Sequence, residues 1–270
     1  MNGNISAQAD CGSHPALAVR SVSVAFGGVH AVQNVCLSVP AGCVVGLIGP
    51  NGAGKSTLLN AICGITRPTS GEVWLGETNV TGCRPDQIAG MGLGRVFQHP
   101  QVIGELSVLD NLLVACHRRL GYSVLAEMLD VPAVRRARRE AHDAALAIAE
   151  RVGLSGSLDL VTGSLPYGHR KLLELARVVL MGARLLLLDE PIAGLNEAEI
   201  EHLAQIVHEL RSASGMSIVL VEHNMGLVRR LCDRAVVLDA GQVIAEGTPD
   251  QVLEDPRVLM AYLGEEPEHA

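Results

Sequence analysis

The stretch VVGLIGPNGAGKST, residues 44–57, decides the fold. Its first five residues form an unbroken apolar run, which is typical of a strand buried on both faces of a sheet. A glycine-rich loop of the pattern GxxxxGK[ST] follows, and a helical pattern covers residues 57–63. Strand, loop and helix in this order are the setting that a P-loop requires. We therefore expect a phosphate-binding loop formed by Gly49, Pro50, Asn51, Gly52, Ala53, Gly54, Lys55, Ser56 and Thr57.

The residue types of this loop suit a polyphosphate. Glycines let the backbone approach the phosphates closely, and successive N–H groups at a helix N-terminus bind negative charge. Lys55 can reach the β- and γ-phosphates, and the Ser56 hydroxyl can ligate Mg²⁺. The sequence thus predicts a nucleotide site, with a purely structural glycine-rich turn as the alternative.

The rest of the chain predicts an α/β fold. Short β-branched runs recur between helical patterns, and those at 44–48, 185–188 and 218–221 are apolar throughout, so we expect them to be central parallel strands. Gly27-Gly28, Ala41-Gly42 and Ala240-Gly241 separate other runs, which predicts antiparallel hairpins beside the core. The predicted strands cover residues 19–24, 35–39, 44–48, 73–75, 185–189, 217–221, 235–239 and 243–245.

From about residue 100 to residue 165 the pattern becomes helical. Apolar residues recur at three- and four-residue spacing over 107–119 and 133–152, which predicts an inserted helical subdomain. A run of arginines in the second segment is interpreted as a solvated helix face, with contact to a partner or to anionic lipid as the alternative. The run comprises Arg135, Arg136, Arg138 and Arg139.

Composition and charge exclude several function classes. The formal net charge of −8, a pI near 5.7 and an aromatic content of 2% argue against a nucleic-acid-binding surface. The longest apolar stretch, residues 178–188, is too short to cross a bilayer, and the polar first residues do not resemble a signal peptide. We expect a cytoplasmic protein.

The cysteines, exemplified by Cys36, Cys43 and Cys63, are expected to be buried free thiols rather than zinc ligands or disulfides.

A second acidic motif complements the P-loop. The apolar run LLLL at 185–188 ends in Asp189 and Glu190, which is the arrangement needed to hold Mg²⁺ through Asp189 while Glu190 polarises an attacking water. Alone, such a pair is more often a solvated strand end. Together with the P-loop, it predicts a catalytic site.

With these motifs the chain resembles the ATP-binding subunits of ABC transporters, from about residue 19 to residue 264. The resemblance implies a P-loop NTPase core with a mixed, mainly parallel sheet, an antiparallel β subdomain and an inserted helical subdomain. It implies that Gln98 of RVFQ senses Mg²⁺ and the lytic water, and that His223 of VEH contacts the γ-phosphate. The expected single domain spans residues 16–264, with flexible ends at 1–15 and 265–270.

The segment LPYGH lies where this family carries the signature LSGGQ, which covers the nucleotide of a partner subunit. Gly168 and the start of the following helix, predicted over 170–181, remain available to a phosphate. Serine, glycine and glutamine of the signature are replaced, which weakens the expected contact. The segment comprises Leu165, Pro166, Tyr167, Gly168 and His169.

Two further features follow the family pattern. PIAGLN resembles the dimer-contact loop through Gly194, Leu195 and Asn196, and Asn196 is also a good N-cap with Glu199 three residues later. Phe26 lies 23 residues before Gly49, where the family places an aromatic ring that stacks on adenine. Core packing is the alternative role for Phe26.

The motif variants resemble one branch of the family, the larger ATPase of branched-chain amino acid importers. They are FGG at 26–28, FQH at 97–99, LPYG at 165–168, AGLN at 193–196, and the tail from GTP at 247–249 to AYLG at 261–264. This branch implies a second ATPase subunit, as a heterodimer or a homodimer, two membrane permeases that hold the chain at the inner face of the membrane, and a periplasmic binding protein. ATP and Mg²⁺ are the implied cofactors, and no nucleic acid is implied.

Other functions remain open at the sequence level. Related importers carry urea, short amides or aromatic acids, and no motif here contacts the cargo. A soluble ABC ATPase of DNA repair or translation is a second class, which the single P-loop and the acidic balance disfavour. A regulatory subunit that binds ATP without efficient hydrolysis is a third, favoured by the signature departures and disfavoured by intact Glu190 and His223.

Overall fold

The computed structural model describes residues 15–120 and 132–263, and within them the chain forms two β-sheets flanked by helices. The larger sheet has six strands in the order β10-β9-β3-β8-β7-β6, and the smaller has four in the order β2-β1-β4-β5. The strands are β1 Leu17–Phe26, β2 Val29–Val39, β3 Val44–Ile48, β4 Ser70–Leu75, β5 Thr78–Asn79, β6 Leu93–Val96, β7 Leu185–Asp189, β8 Ser217–Val221, β9 Arg234–Asp239 and β10 Gln242–Gly247.

Parallel pairing dominates the larger sheet. β3 pairs parallel with β8 and β9, while β7 pairs parallel with β6 and β8. Every residue of β3, β7 and β8 is buried, because apolar layers cover both faces of the sheet. The three predicted central strands are therefore confirmed, and strand β6 is an element that the sequence analysis did not identify.

One of the three predicted hairpins is wrong. Gly27-Gly28 joins the antiparallel strands β1 and β2, and Ala240-Gly241 joins β9 and β10. Ala41-Gly42, in contrast, connects β2 to β3, which lie in different sheets. The Gly42 N–H donates to Oγ of Ser217, the first residue of β8 in the larger sheet, at 2.9 Å. An apolar strand such as β3 pairs at the centre of the sheet, because there both of its faces are covered.

The helices follow the predicted order, and the segments predicted around 107–119, 133–152 and 170–181 are confirmed as helical. The helix α6 begins at the N-cap Asn196, whose side chain accepts the Glu199 N–H at 3.0 Å. The helices are α1 Lys55–Ile62, α2 Pro85–Gly90, α3 Val108–Leu120, α4 Pro132–Arg151, α5 Tyr167–Leu180, α6 Glu197–Ser214, α7 Met225–Leu231, α8 Pro249–Leu253 and α9 Pro256–Leu263.

The larger sheet separates two apolar cores. Val44, Ile48 and Leu186 pack with α3, α4, α5 and α6 on one side. Val45 and Leu187, their neighbours along the strands, pack with α1 and the smaller sheet on the other. This alternation follows the two-residue period of strand side chains. The mixed sheet, the antiparallel β part and the helical part confirm the expected fold class.

Two other expectations have different outcomes. Cys63 is buried as predicted, but Cys36 is exposed because it lies on the outer face of β2, so its predicted burial is wrong. Within residues 15–120 and 132–263, no helix is long and apolar enough to cross a bilayer. The predicted flexible ends at 1–15 and 265–270 lie, apart from residue 15, outside the described residues.

Candidate active site

The predicted P-loop lies at the carboxyl end of β3 and leads into α1. A cleft of about 200 Å³ is lined by residues 51–57 together with Ala31 and Glu190. Gly49 and Gly54 have φ angles of 145° and 99°, which favour glycine. A Cβ on Gly49 would overlap the Leu238 carbonyl oxygen, and one on Gly54 would overlap that of Ala31. The loop shape is thus set by close backbone contacts.

Lys55 is held inside this loop. Its side chain is buried, with the residue 6% exposed, and Nζ donates to the carbonyl oxygens of Gly49 and Pro50 at 2.7 Å each. Ser56 and Thr57 follow in the first turn of α1. The first N–H groups of a helix have no intrahelical acceptor, so this turn offers donors to an anion in the cleft.

Three predicted catalytic side chains meet at Glu190. Its carboxylate accepts from Gln98 Nε2 at 2.6 Å through one oxygen and lies 3.0 Å from His223 Nε2 through the other. The three residues follow β6, β7 and β8, which are adjacent parallel strands, and the carboxyl ends of such strands meet at one edge. The sheet therefore brings together residues far apart in sequence.

The backbone at Glu190 is strained. Its φ angle is +47°, which is uncommon for a residue with a side chain, and its N–H donates to the Val221 carbonyl oxygen at 3.0 Å. Such conformations persist where the surroundings fix them, and they cluster at functional sites. In this conformation the Glu190 carboxylate lies between Gln98 and His223.

Asp189 has a partner that sequence reasoning missed. Arg95 on β6 donates to Asp189 Oδ2 at 2.7 Å, with both side chains less than 10% exposed, and it also donates to Asn60 Oδ1 at 2.7 Å. The signal was an arginine in an otherwise apolar strand of the quoted RVFQ motif, where a buried guanidinium requires an acceptor. The ion pair fixes Asp189 at the end of β7.

The signature segment begins helix α5 and contacts its own subunit. Leu165 is buried, Pro166 is the exposed N-cap, and His169 is partly exposed. The Tyr167 hydroxyl donates to the Gln98 carbonyl oxygen at 2.9 Å. Gly168 is buried, and a Cβ there would overlap the Glu199 carboxylate, so a larger residue at this position would have to displace the Glu199 side chain.

The loop after Glu190 packs beside this turn. Gly194 has a φ angle of +79°, and a Cβ there would lie 3.2 Å from the Tyr167 ring. Leu195 is partly buried against the helical core, and Asn196 caps α6. Phe26 stands apart from the core at the end of β1, where it is 54% exposed, so packing in the core is not its role.

Three further buried charges surround the site and were missed by the sequence analysis. Lys171, 2% exposed, donates to the carbonyl oxygens of Glu190 and Pro191 at 3.0 Å each, and burial lowers its pKa. Glu222 accepts from the Ile192 and His223 N–H groups at 3.2 Å each, and burial raises its pKa. A lysine among apolar helix residues was the available signal for Lys171.

Glu174 is the third of these charges. It is 3% exposed, and Oε1 accepts from the N–H groups of Phe97 at 3.3 Å and Gln101 at 3.2 Å. Burial raises the pKa of its carboxyl to about 7, although these backbone bonds act in the opposite direction. Glu174 thus holds both ends of the segment that carries Gln98.

Comparison with known proteins finds relatives that match most of this chain. A family described as "ABC transporter" matches residues 32–193, and one described as "Branched-chain amino acid ATP-binding cassette transporter" matches residues 242–268. The high-affinity branched-chain amino acid transport ATP-binding protein LivG of Escherichia coli (strain K12) is 42% identical, over 94% of this chain and 99% of its own. BraF of Pseudomonas aeruginosa, with the same description, is 41% identical over 94% and 99%.

A solved structure shares the whole fold. The ADP conformation of MJ1267, an ATP-binding cassette of an ABC transporter, superposes with a TM-score of 0.80 at 33% identity and covers 94% of this chain and all of that one. The motifs, the fold and the matched families agree, and the resemblance seen in the sequence is confirmed. The chain belongs to the ABC transporter family, as an ATP-binding and ATP-hydrolysing subunit.

Proposed function

We propose that this chain powers an importer of branched-chain amino acids, with Glu190 as the general base for ATP hydrolysis. The observation that carries the catalytic assignment is the Glu190 carboxylate held between Gln98 Nε2 and His223 Nε2, at the edge of the P-loop cleft. A carboxylate so oriented can accept a proton from a water that attacks the γ-phosphate. His223 contacts that phosphate, and Gln98 orients the water.

The binding roles follow the elements. Residues 49–57 surround the phosphates with backbone N–H groups, and Lys55 exchanges its loop carbonyls for the β- and γ-phosphates. Phe26, exposed on the hairpin of the smaller sheet, stacks on adenine. Hydrolysis requires a nucleoside triphosphate, and ATP is the expected one because the similar proteins are named as ATP-binding proteins.

Mg²⁺ fits the donors that are present. Ser56, Gln98 and Asp189 offer hydroxyl, amide and carboxylate oxygens, which are the hard ligands that Mg²⁺ prefers. The described residues contain no cluster of three His, Cys, Asp or Glu side chains suited to a metal. Proteins usually bind Mg²⁺ through one or two carboxylates together with substrate phosphates. When bound, the ion neutralises phosphate charge. Asp189 is held ready for it by Arg95.

A second ATPase subunit completes the site in trans. We assign the contact to Leu165, Pro166, Tyr167, Gly168 and His169, and to the loop of Gly194, Leu195 and Asn196. Pro166 and Asn196 are exposed, and the N-terminus of α5 carries the partial positive charge that suits a partner's phosphate. The pair is a heterodimer or a homodimer.

A groove between the sheet and α5 suits a permease segment. Its volume is about 270 Å³, and mainly apolar residues line it, among them Leu93, Phe97, Val178 and Met181. Glu174 also lines it, and its Oε2 has no hydrogen-bond partner among the described residues. A buried polar atom of this kind favours a partner that supplies a hydrogen-bonding group. Through two permeases the chain lies at the cytoplasmic face of the membrane.

The cargo assignment rests on the relatives that are named for branched-chain amino acid transport, together with the matching C-terminal family. Urea, short amides and aromatic acids are the alternative cargoes. The binding protein reaches this chain only indirectly, through the permeases.

Reconstitution tests the function as a whole. The chain is coexpressed with its companion ATPase and candidate permeases, and ATP hydrolysis is measured in liposomes with and without loaded binding protein. We expect stimulation by a binding protein loaded with leucine, isoleucine or valine. Stimulation only by urea-, amide- or aromatic-acid-loaded protein contradicts the cargo, and ATP binding without stimulation by any complex contradicts the transport role.

A further inference from the structure

The first turn of α5 contacts catalytic loops of its own subunit. Tyr167 donates its hydroxyl proton to the carbonyl oxygen of Gln98 at 2.9 Å, and its ring lies against Gly194 in the loop after Glu190. The Tyr167 side chain therefore contacts two loops next to the Glu190 carboxylate, the loop that carries Gln98 and the loop that follows Glu190. Tyr167 stands where the family signature has glycine, which cannot make these contacts.

Lys171 extends the connection by one helical turn. Its Nζ lies 5.4 Å from the centroid of the Tyr167 ring and donates to the carbonyl oxygens of Glu190 and Pro191. Tyr167 and Lys171 occupy positions i and i+4, which lie on the same face of a helix. This face of α5 therefore bonds to the backbone of Gln98 through Tyr167 and to the backbone of Glu190 through Lys171. Gln98 and Glu190 are the two residues whose side chains contact each other at the catalytic site.

We infer that Tyr167 is a positioning residue that sets the Gln98 side chain against Glu190 and so couples the signature turn to hydrolysis in its own subunit. The inference rests on the catalytic role proposed for Gln98. A displacement of the α5 turn by the partner's nucleotide moves the hydroxyl that holds the Gln98 carbonyl. The two ATP sites of a dimer are then linked through this bond.

The test compares variants in the assembled transporter by steady-state ATP hydrolysis. Tyr167→Phe removes the hydroxyl and keeps the ring against Gly194. We expect kcat to fall about 3- to 10-fold, the range of one neutral hydrogen bond, while KM for ATP stays within about twofold. Ser164→Ala is the matched control, because its hydroxyl also donates to a backbone carbonyl, that of Val161 at 2.7 Å, away from the catalytic groups. It should hydrolyse at the parental rate.

A double variant separates positioning from general support. Gln98→Ala keeps the carbonyl that Tyr167 bonds but removes the side chain that the bond is inferred to place. In that background Tyr167→Phe should cause no further fall in kcat. An equal fall in both backgrounds, or a parental rate for Tyr167→Phe, overturns the inference. Parental activity of Gln98→Ala alone overturns instead the catalytic role proposed for Gln98, and the inference with it.

Thermal unfolding of each variant accompanies the rates. The isosteric change at Tyr167 should leave the unfolding midpoint of the subunit unchanged to within about 2 °C, because one partly exposed neutral hydrogen bond is lost. A large drop in the midpoint with matching losses of kcat in both backgrounds assigns Tyr167 a structural role only.

Discussion

The P-loop and the signature turn of one subunit are shaped by different means. The P-loop is shaped by backbone, since Gly49 and Gly54 lie so close to other chain segments that no side chain fits. The signature turn is shaped by side chains, with Tyr167 bonded to the Gln98 loop and Lys171 to the Glu190 turn. The P-loop therefore depends on glycine at fixed positions, whereas the signature turn uses a side chain, that of Tyr167, at a position where the family pattern has glycine.

A loop shaped by close backbone contacts should lose stability when a single methyl group is added, and substitutions at two of its glycines test this expectation. In Gly49→Ala the new Cβ overlaps the Leu238 carbonyl oxygen, so we expect a loss of about 3 kcal/mol or more in the free energy of unfolding. Gly52→Ala is the matched control in the same loop. Gly52 has φ +77° but no atom of the described residues within 4 Å of its Cβ, so about 1 kcal/mol of strain is expected. Urea unfolding measures the free energy of unfolding of both variants. Equal losses in the two variants would contradict the distinction between a crowded and an open glycine.

Glu174 lies on α5, the helix that begins with the signature turn. Its buried carboxyl predicts an unusual pH dependence of the free energy of unfolding. Burial raises its pKa to about 7, above the ordinary value of 4.5, so the folded state binds more protons over this interval and the free energy of unfolding falls as pH rises. The shift corresponds to about 3 kcal/mol between pH 4.5 and pH 7. Glu174→Gln keeps an oxygen acceptor for the Phe97 and Gln101 N–H groups and removes the titration.

The measurement is urea unfolding of wild type and Glu174→Gln at pH 5 and at pH 8. The variant should gain stability relative to wild type at the higher pH. Glu150→Gln, at an exposed position of α4, is the control and should follow wild type at both values. A constant difference between Glu174→Gln and wild type contradicts the buried, proton-binding carboxyl.

The charge of Lys55 provides a test of nucleotide binding by the P-loop. Lys55→Ala removes the charged donor assigned to the phosphates, and we expect ATP affinity to fall about 10- to 100-fold, equivalent to about 1.5–3 kcal/mol. Titration calorimetry of the subunit measures this, with exposed Arg136→Ala as a control that also removes one positive charge. Unchanged affinity for Lys55→Ala would remove it from phosphate binding.

Asn196 carries the smallest expected effect. Asn196→Ala loses the N-cap of α6 and should lower the free energy of unfolding by about 1 kcal/mol, whereas Asn196→Asp keeps an acceptor for the Glu199 N–H. Thermal unfolding compares the two. If both variants are equally destabilised, capping is not the role of this side chain.

Short sequence patterns predicted those features of the fold and the site whose geometry is set by residues close together in the sequence. The P-loop, the acidic end of β7, the N-cap at Asn196 and the three central strands each follow from a short window of sequence. The contacts of Arg95, Lys171, Glu174 and Glu222 do not, because each side chain bonds to a residue distant in the sequence, on another strand or in a loop that follows one. The wrong hairpin at Ala41-Gly42 has the same origin. A turn signal shows where the chain bends, while the burial of β3 on both faces decides which sheet receives it.

The identity of the nucleotide held by the Glu190→Gln transporter tests the account most directly. The variant replaces the carboxylate between Gln98 and His223 with a neutral amide that cannot take a proton from water, while Lys55 and the P-loop stay intact. The transporter is incubated with Mg²⁺ and ATP, freed of unbound nucleotide and extracted for chromatography. We predict that it retains unhydrolysed ATP, whereas wild type yields ADP. ADP formed by Glu190→Gln at the parental rate would contradict Glu190 as the catalytic base.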